Sequence, residues 1–144
     1  MNVYFETSAF FKLLIDEEGS ADAVELWESA ERVTGCRIMY PEARAALAAA
    51  ARARRVTATE LRWIKSRLET RWRQLEIVEV DAEIAAASGD LAEKHALRGY
   101  DAVHLACGVA LEDESLAFAT WDTDLGSAAH HVGLRLAPAR MGPS

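Results

Sequence analysis

Five short apolar runs rich in strand formers, at residues 3–5, 37–40, 75–80, 116–120 and 134–137, are separated along this chain by longer segments with helical spacing. Strands that follow one another only after a helix pair in parallel, because a hairpin turn is too short to bring the chain back to the same end. A parallel sheet in turn needs cover on both faces. The alternation therefore predicts an α/β fold: a three-layer sandwich with a central, mostly parallel sheet of four to five strands flanked by helices.

Local signals place the helices. Thr7 or Ser8 can cap a first helix to about residue 15, and Asp16-Glu17-Glu18-Gly19 breaks it. A second helix is expected over 20–32, with Thr34-Gly35 as a turn before the strand at 37–40. Pro41 ends that strand and suits the first turn of an alanine-rich helix over 42–54. Thr57 and Glu60 have capping-box spacing ahead of a basic helix running to about residue 73. Asp81 caps a helix that stops at Gly99, a further helix covers 102–111, and a last one covers 122–131.

The 144 residues suit one domain, spanning 1–144. No run reaches the roughly 18 apolar residues of a membrane span, and Met1 leads almost directly into the first strand. A cytoplasmic protein without membrane contact is expected. Cys36 and Cys107 stand far apart outside any CxxC or Cys/His cluster, so buried free thiols are expected rather than zinc ligands or a disulfide. The net charge of −7 argues against a nucleic-acid partner, but 8 of the 16 basic residues fall between Arg52 and Arg73. Local charge governs phosphate binding more than net charge does. Arg52, Arg54, Arg55 and Arg62 are the candidate RNA contacts, the alternative being a solvated face partly offset by Glu60 and Glu69.

Four acids fall at helix starts: Glu6, Glu42, Asp101 and Asp122. Three of them, Glu6, Glu42 and Asp122, also stand just beyond a strand, the rim where open parallel sheets gather their ligands. For a single acid, capping is the commoner role. Four at equivalent places would repel one another unless a cation neutralised them. Oxygen ligands without thiolate or histidine suit Mg²⁺ or Mn²⁺ rather than zinc. Asp124 could share the work of Asp122. His104 shares a helix face with Asp101, and in its apolar segment a hydrogen-bonded core histidine is the expected reading.

The segments Tyr4-Phe5-Glu6-Thr7-Ser8-Ala9, Tyr40-Pro41-Glu42, Arg98-Gly99-Tyr100-Asp101-Ala102-Val103-His104 and Thr120-Trp121-Asp122-Thr123-Asp124 occur in that order across the chain. Together they resemble the signature segments of the PIN domain, in particular the VapC-type toxins of bacterial toxin–antitoxin pairs. The resemblance implies a metal-dependent endoribonuclease. Glu6, Glu42, Asp101 and Asp122 would be its catalytic carboxylates, with Glu6, Asp101 and Asp122 on the metal and Glu42 in the outer shell or on a second ion. Thr7 or Ser8 would orient the first acid or its water. It also implies a homodimer and a cognate VapB-type antitoxin, with Phe10, Phe11, Leu14 and Trp27 as candidate apolar contacts. One departure stands out: the family has aspartate where this chain has Glu6, and the extra methylene moves the carboxylate by about 1.5 Å. The alternative is therefore a catalytically impaired PIN-like module that binds RNA or antitoxin. A phosphatase of another α/β fold would usually need a second acid two residues after a nucleophilic aspartate, and Glu6-Thr7-Ser8 lacks it.

Overall fold

A computed structural model describes residues 1–139. Five strands, β1 (Asn2–Phe5), β2 (Arg32–Cys36), β3 (Glu76–Val78), β4 (Ala117–Ala119) and β5 (Arg135–Ala137), form one sheet in the order β3-β2-β1-β4-β5. Every neighbouring pair is parallel. The helices are α1 (Thr7–Lys12), α2 (Ser20–Ser29), α3 (Met39–Arg52), α4 (Ala58–Gln74), α5 (Ala82–His95), α6 (Gly99–Ala110) and α7 (Thr123–His131).

The two-residue period of a strand sends neighbours to opposite faces. Val3 and Phe5 enter a core with α1, α2, α3 and α4, through Phe10, Trp27, Leu47 and Leu68. Tyr4 enters the second core with α5, α6 and α7, where it stacks on Phe118 at 5.1 Å between ring centroids. This is the expected three-layer sandwich, with five strands. Helix α6 lies close against β4 because Gly108 has no Cβ; one placed there would stand 2.9 Å from the Phe118 ring.

The second strand corrects the sequence reading. Thr34-Gly35 is not a turn but lies inside β2, and Met39-Tyr40 already belong to α3. Hydrogen bonding to β1 and β3 on both sides outweighs the weak strand preference of glycine, and the bare Cα of Gly35 lets the Met39 side chain lie across it. Pro41 still sits in the first turn of a helix. The first helix ends at Lys12, and Leu13, Leu14 and Ile15 pack into the core from the connection that follows. Three caps follow the sequence signals, the Thr57–Glu60 capping box and Asp81 and Asp122 on α5 and α7, whereas α1 is capped by Glu6 and not by Thr7 or Ser8.

Phe10, Leu14 and Trp27 are buried in the first core and Phe11 is packed against it, so they do not form the apolar contact surface expected for a partner. Cys36 and Cys107 are buried free thiols. Among the described residues no helix is long and apolar enough to cross a membrane.

Candidate active site at the carboxyl edge of the sheet

From β1 the chain leaves toward β2 on one side, whereas β4 and β5 lie on the other. The crevice beyond the carboxyl ends of β1 and β4 is therefore the switch point of the sheet, the usual place for a ligand in this architecture. Phe5 pairs with Ala119, and the Glu6 N–H donates to the Ala119 carbonyl at 3.0 Å. That register brings Glu6, Thr120 and Asp122 to the same edge.

Glu6 caps α1 and is buried. Its Oε2 accepts from Ser8 Oγ at 2.5 Å, Thr120 Oγ1 at 2.8 Å and the Ser8 N–H at 3.1 Å. Burial pushes its carboxyl above the ordinary range, against the opposing pull of His104 and of these donors. Ser8 Oγ also accepts from the Trp121 N–H at 2.8 Å, and Thr120 Oγ1 from the Asp122 N–H at 3.0 Å. The hydroxyls thus tie the β1 end to the segment that carries Asp122.

Glu42, in the first turn of α3, directs Oε1 to Thr7 Oγ1 at 2.8 Å and to His104 Nε2 at 2.7 Å. His104 is fully buried, and its Nδ1 lies 2.8 Å from the Tyr4 hydroxyl and 3.7 Å from Cys36 Sγ. Burial alone would lower the imidazole pKa; hydrogen bonds with Cys36 and Glu42 and the charge of Cys36 outweigh it and push it up to about 10. Cys36 is lowered to about 4, first through its hydrogen bond with Cys107 and, against burial, through His104.

The outer two acids are held differently. Arg98 Nε donates to Asp101 Oδ2 at 2.9 Å and its Nη2 lies 3.5 Å from Asp122 Oδ2. The Arg98 side chain is 79% exposed, against 13% for Asp101 and 25% for Asp122. The guanidinium pKa is raised by its hydrogen bond to Asp101, then by the charges of Asp101 and Asp122, and also by Glu6.

The family model that matches this sequence is the PIN domain, over residues 3–130. The chain belongs to the PIN-domain family. Its relatives include ribonuclease VapC45 and ribonuclease VapC49 of Mycobacterium tuberculosis, each 46% identical over 141 residues and covering 98% of both chains. Among solved structures, FitAcB from Neisseria gonorrhoeae superposes with a TM-score of 0.68 at 20% identity, covering 94% of this chain and 96% of that one. PAE2754 from Pyrobaculum aerophilum gives 0.68 at 19% identity, with 94% and 82% covered. These two likenesses establish the PIN fold.

In this PIN domain the four predicted acids lie in two groups at one edge. Among the described residues no three acid, histidine or cysteine side chains are already gathered as a cation-binding group. The donor chemistry nevertheless suits a hard divalent cation, since Glu6, Asp101 and Asp122 offer carboxylate oxygens at one edge and two of them already hold one cationic group, Arg98. Asp124 stands exposed in the first turn of α7, while Asp122 caps that helix through Oδ1. Arg52, Arg54, Arg55 and Arg62 are exposed, with Arg55 bonded to Glu17 at 3.0 Å. Trp63 is 72% exposed beside them, whereas Trp72 packs against Phe10 and Tyr40.

Three functional neighbours were not assigned from sequence. Thr120 and Arg98 fall inside the signature segments without a role of their own there, because Thr120 meets Glu6 and Arg98 meets Asp122 across other elements. His104 was read as a core histidine, which its burial bears out, but its bond to Glu42 connects that core to the site. The signal was its place in the first core-facing turns after Asp101: a buried imidazole must find polar partners.

Proposed function

We propose that Glu6, Asp101 and Asp122 hold the Mg²⁺ or Mn²⁺ ion with which this VapC-type toxin endoribonuclease cleaves RNA. The observation that carries the reading is the chain of contacts at the switch point of the sheet: Glu6 accepts from the Thr120 hydroxyl, that hydroxyl accepts from the Asp122 N–H, and Asp122 shares Arg98 with Asp101. A bound divalent cation would polarise a non-bridging phosphate oxygen and lower the pKa of a water for in-line attack.

The chain's own residues do the rest. Ser8 and Thr120 fix Glu6 as an anion-bearing arm at the end of β1, so little reorganisation is needed when the site fills. Glu42, held at Oε1 by Thr7 and His104, serves as the outer-shell acid that orients water. Asp124 supports Asp122 from the first turn of α7 without bearing the metal. Arg52, Arg54, Arg55 and Arg62 attract the RNA backbone, an electrostatic contribution that weakens with salt. We place the activity in the cytoplasm, in a homodimer silenced by a cognate VapB-type antitoxin.

The test is cleavage of structured RNA with Mg²⁺ or Mn²⁺ by this protein and by Asp101→Asn, with EDTA controls. Outer-shell changes around bound metals typically cost about 10–100-fold, so loss of a direct ligand should exceed roughly 100-fold. EDTA should abolish cleavage by the parent. Metal-independent cleavage, or equal activity in Asp101→Asn, would overturn the assignment.

A further inference from the structure

Arg98 is the unexplained charge at this edge. Its main chain is anchored, with its carbonyl accepting from the Ala102 N–H at 3.0 Å as the N-cap of α6. Its side chain is mostly in solvent, yet the two arms of the guanidinium go to different acids, Nε to Asp101 on α6 and Nη2 to Asp122 at the start of α7. Such a split grip is not the bidentate fork that makes an arginine–carboxylate pair strong. It bridges two helix starts and neutralises part of the repulsion between acids that would otherwise face one another uncompensated.

We propose that Arg98 is a resident counter-cation of the Asp101–Asp122 pair, which a divalent ion displaces on binding. This rests on the metal reading above and adds a competitor within the chain. Three features make the exchange feasible. The guanidinium holds Oδ2 of both acids, and Oδ1 of Asp122 is taken by the α7 cap, so an ion reaching these carboxylates would meet Arg98. With its guanidinium side 79% exposed, the pair is screened by solvent and can be broken. The side chain has open solvent to move into while its backbone stays fixed. A divalent ion offers twice the charge to the same acids, so the exchange is favourable once the ion is present.

Two measurements decide. In the first, Mn²⁺ is titrated by electron paramagnetic resonance into the parent protein, Arg98→Gln, Arg98→Lys and Asp101→Asn. Removing the competing charge should tighten Mn²⁺ binding roughly five- to tenfold in Arg98→Gln, the low end of a typical coupling between two ligands. Arg98→Lys, with a charge but no fork, should fall between. A purely structural role, in which Arg98 holds Asp101 in place, would weaken Mn²⁺ binding instead. Equal or weaker binding by folded Arg98→Gln, with the parent binding normally, overturns the counter-cation and leaves the metal site standing. Absence of Mn²⁺ binding from both overturns the two together, whereas binding by Arg98→Gln alone is the strongest support.

The second measurement needs no variant. Mg²⁺ titration followed by nitrogen-15 NMR should move the backbone amides of Asp101 and Asp122 and, in step, turn the Arg98 Nε–H from slow to fast solvent exchange. Amide shifts with an unchanged Arg98 Nε–H would overturn the exchange.

Discussion

The acidic edge of this PIN domain is held in two ways. Glu6 and Glu42 are fixed from inside, by the hydroxyls of Thr7, Ser8 and Thr120 and by the buried imidazole of His104. Asp101 and Asp122 lean on one exposed arginine. The burial of the partners, not of the acids, accounts for the difference: Glu42 at 27% is more exposed than Asp101 at 13%. The imidazole of His104 is fully buried and must keep polar partners inside the fold. The Arg98 side chain is 79% exposed and is free to leave. The inner pair is thus preorganised and the outer pair exchangeable.

The sharpest way to break this comparison is to remove one support from each side. His104→Ala deletes the ring between Tyr4 and Glu42 and leaves buried polar groups without partners, which should cost about 2–4 kcal/mol in urea unfolding. It should also lower cleavage by releasing Glu42. Arg98→Gln should leave the unfolding midpoint nearly unchanged, because its side chain is exposed. Equal losses from the two substitutions would show that inner and outer acids are supported alike.

How much of this was legible in the sequence follows from how local each signal is. The caps at Thr57, Asp81 and Asp122 act within three residues, so they could be read directly. So could the positions of Glu6 and Asp122 just beyond a strand, whereas Glu42, expected directly after a strand at 37–40, lies in the first turn of α3 beyond the end of β2 at Cys36. β2 could not, because Thr34-Gly35 has the composition of a turn and becomes a strand only between two partners. The same holds for the surface: Phe10 and Trp27 looked surplus to one helix face until two helices and a sheet closed over them. Tyr4 meets His104 across 100 positions and Thr120 meets Glu6 across 114, distances over which a single sequence carries no register. Arg98 was visible as part of a motif, but its grip on Asp122 depends on how α6 and α7 meet.

A smaller effect tests whether Glu6 is a defect or a fitted part. Glu6→Asp restores the family residue but withdraws the carboxylate by about 1.5 Å from Ser8 and Thr120. With hydrogen bonds to charged groups worth more than neutral ones, the loss should be about 1–2 kcal/mol of stability. Cleavage should fall with it, by roughly 10-fold if Glu6 is positioned by these hydroxyls. Higher activity in Glu6→Asp without a loss of stability would mean that the Glu6 arm is too long and the enzyme detuned, whereas an impaired binding module would gain little.

The smallest expected effect is a plateau, and it comes from the inner side alone. His104 is raised from an ordinary value of 6.5 to about 10, so its contribution is complete below pH 6.5 and is lost as pH rises through about 10. Cys36 is lowered from 9.0 to about 4, so its contribution is present above pH 9.0 and is lost as pH falls through about 4. Between pH 6.5 and 9.0 the folded pair carries one proton, on His104, and the unfolded pair also carries one, on Cys36. Equal proton counts give no slope, so the urea midpoint should stay flat across that window. Cys36→Ser removes one side of the balance. It also removes the hydrogen bond and the charge of Cys36 that help raise His104, so the remaining His104 contribution, held by Glu42 against burial, should shrink and any decline above pH 6.5 should be small. A decline already present in the parent would show that Cys36 keeps its proton and that Glu42 alone holds the imidazolium.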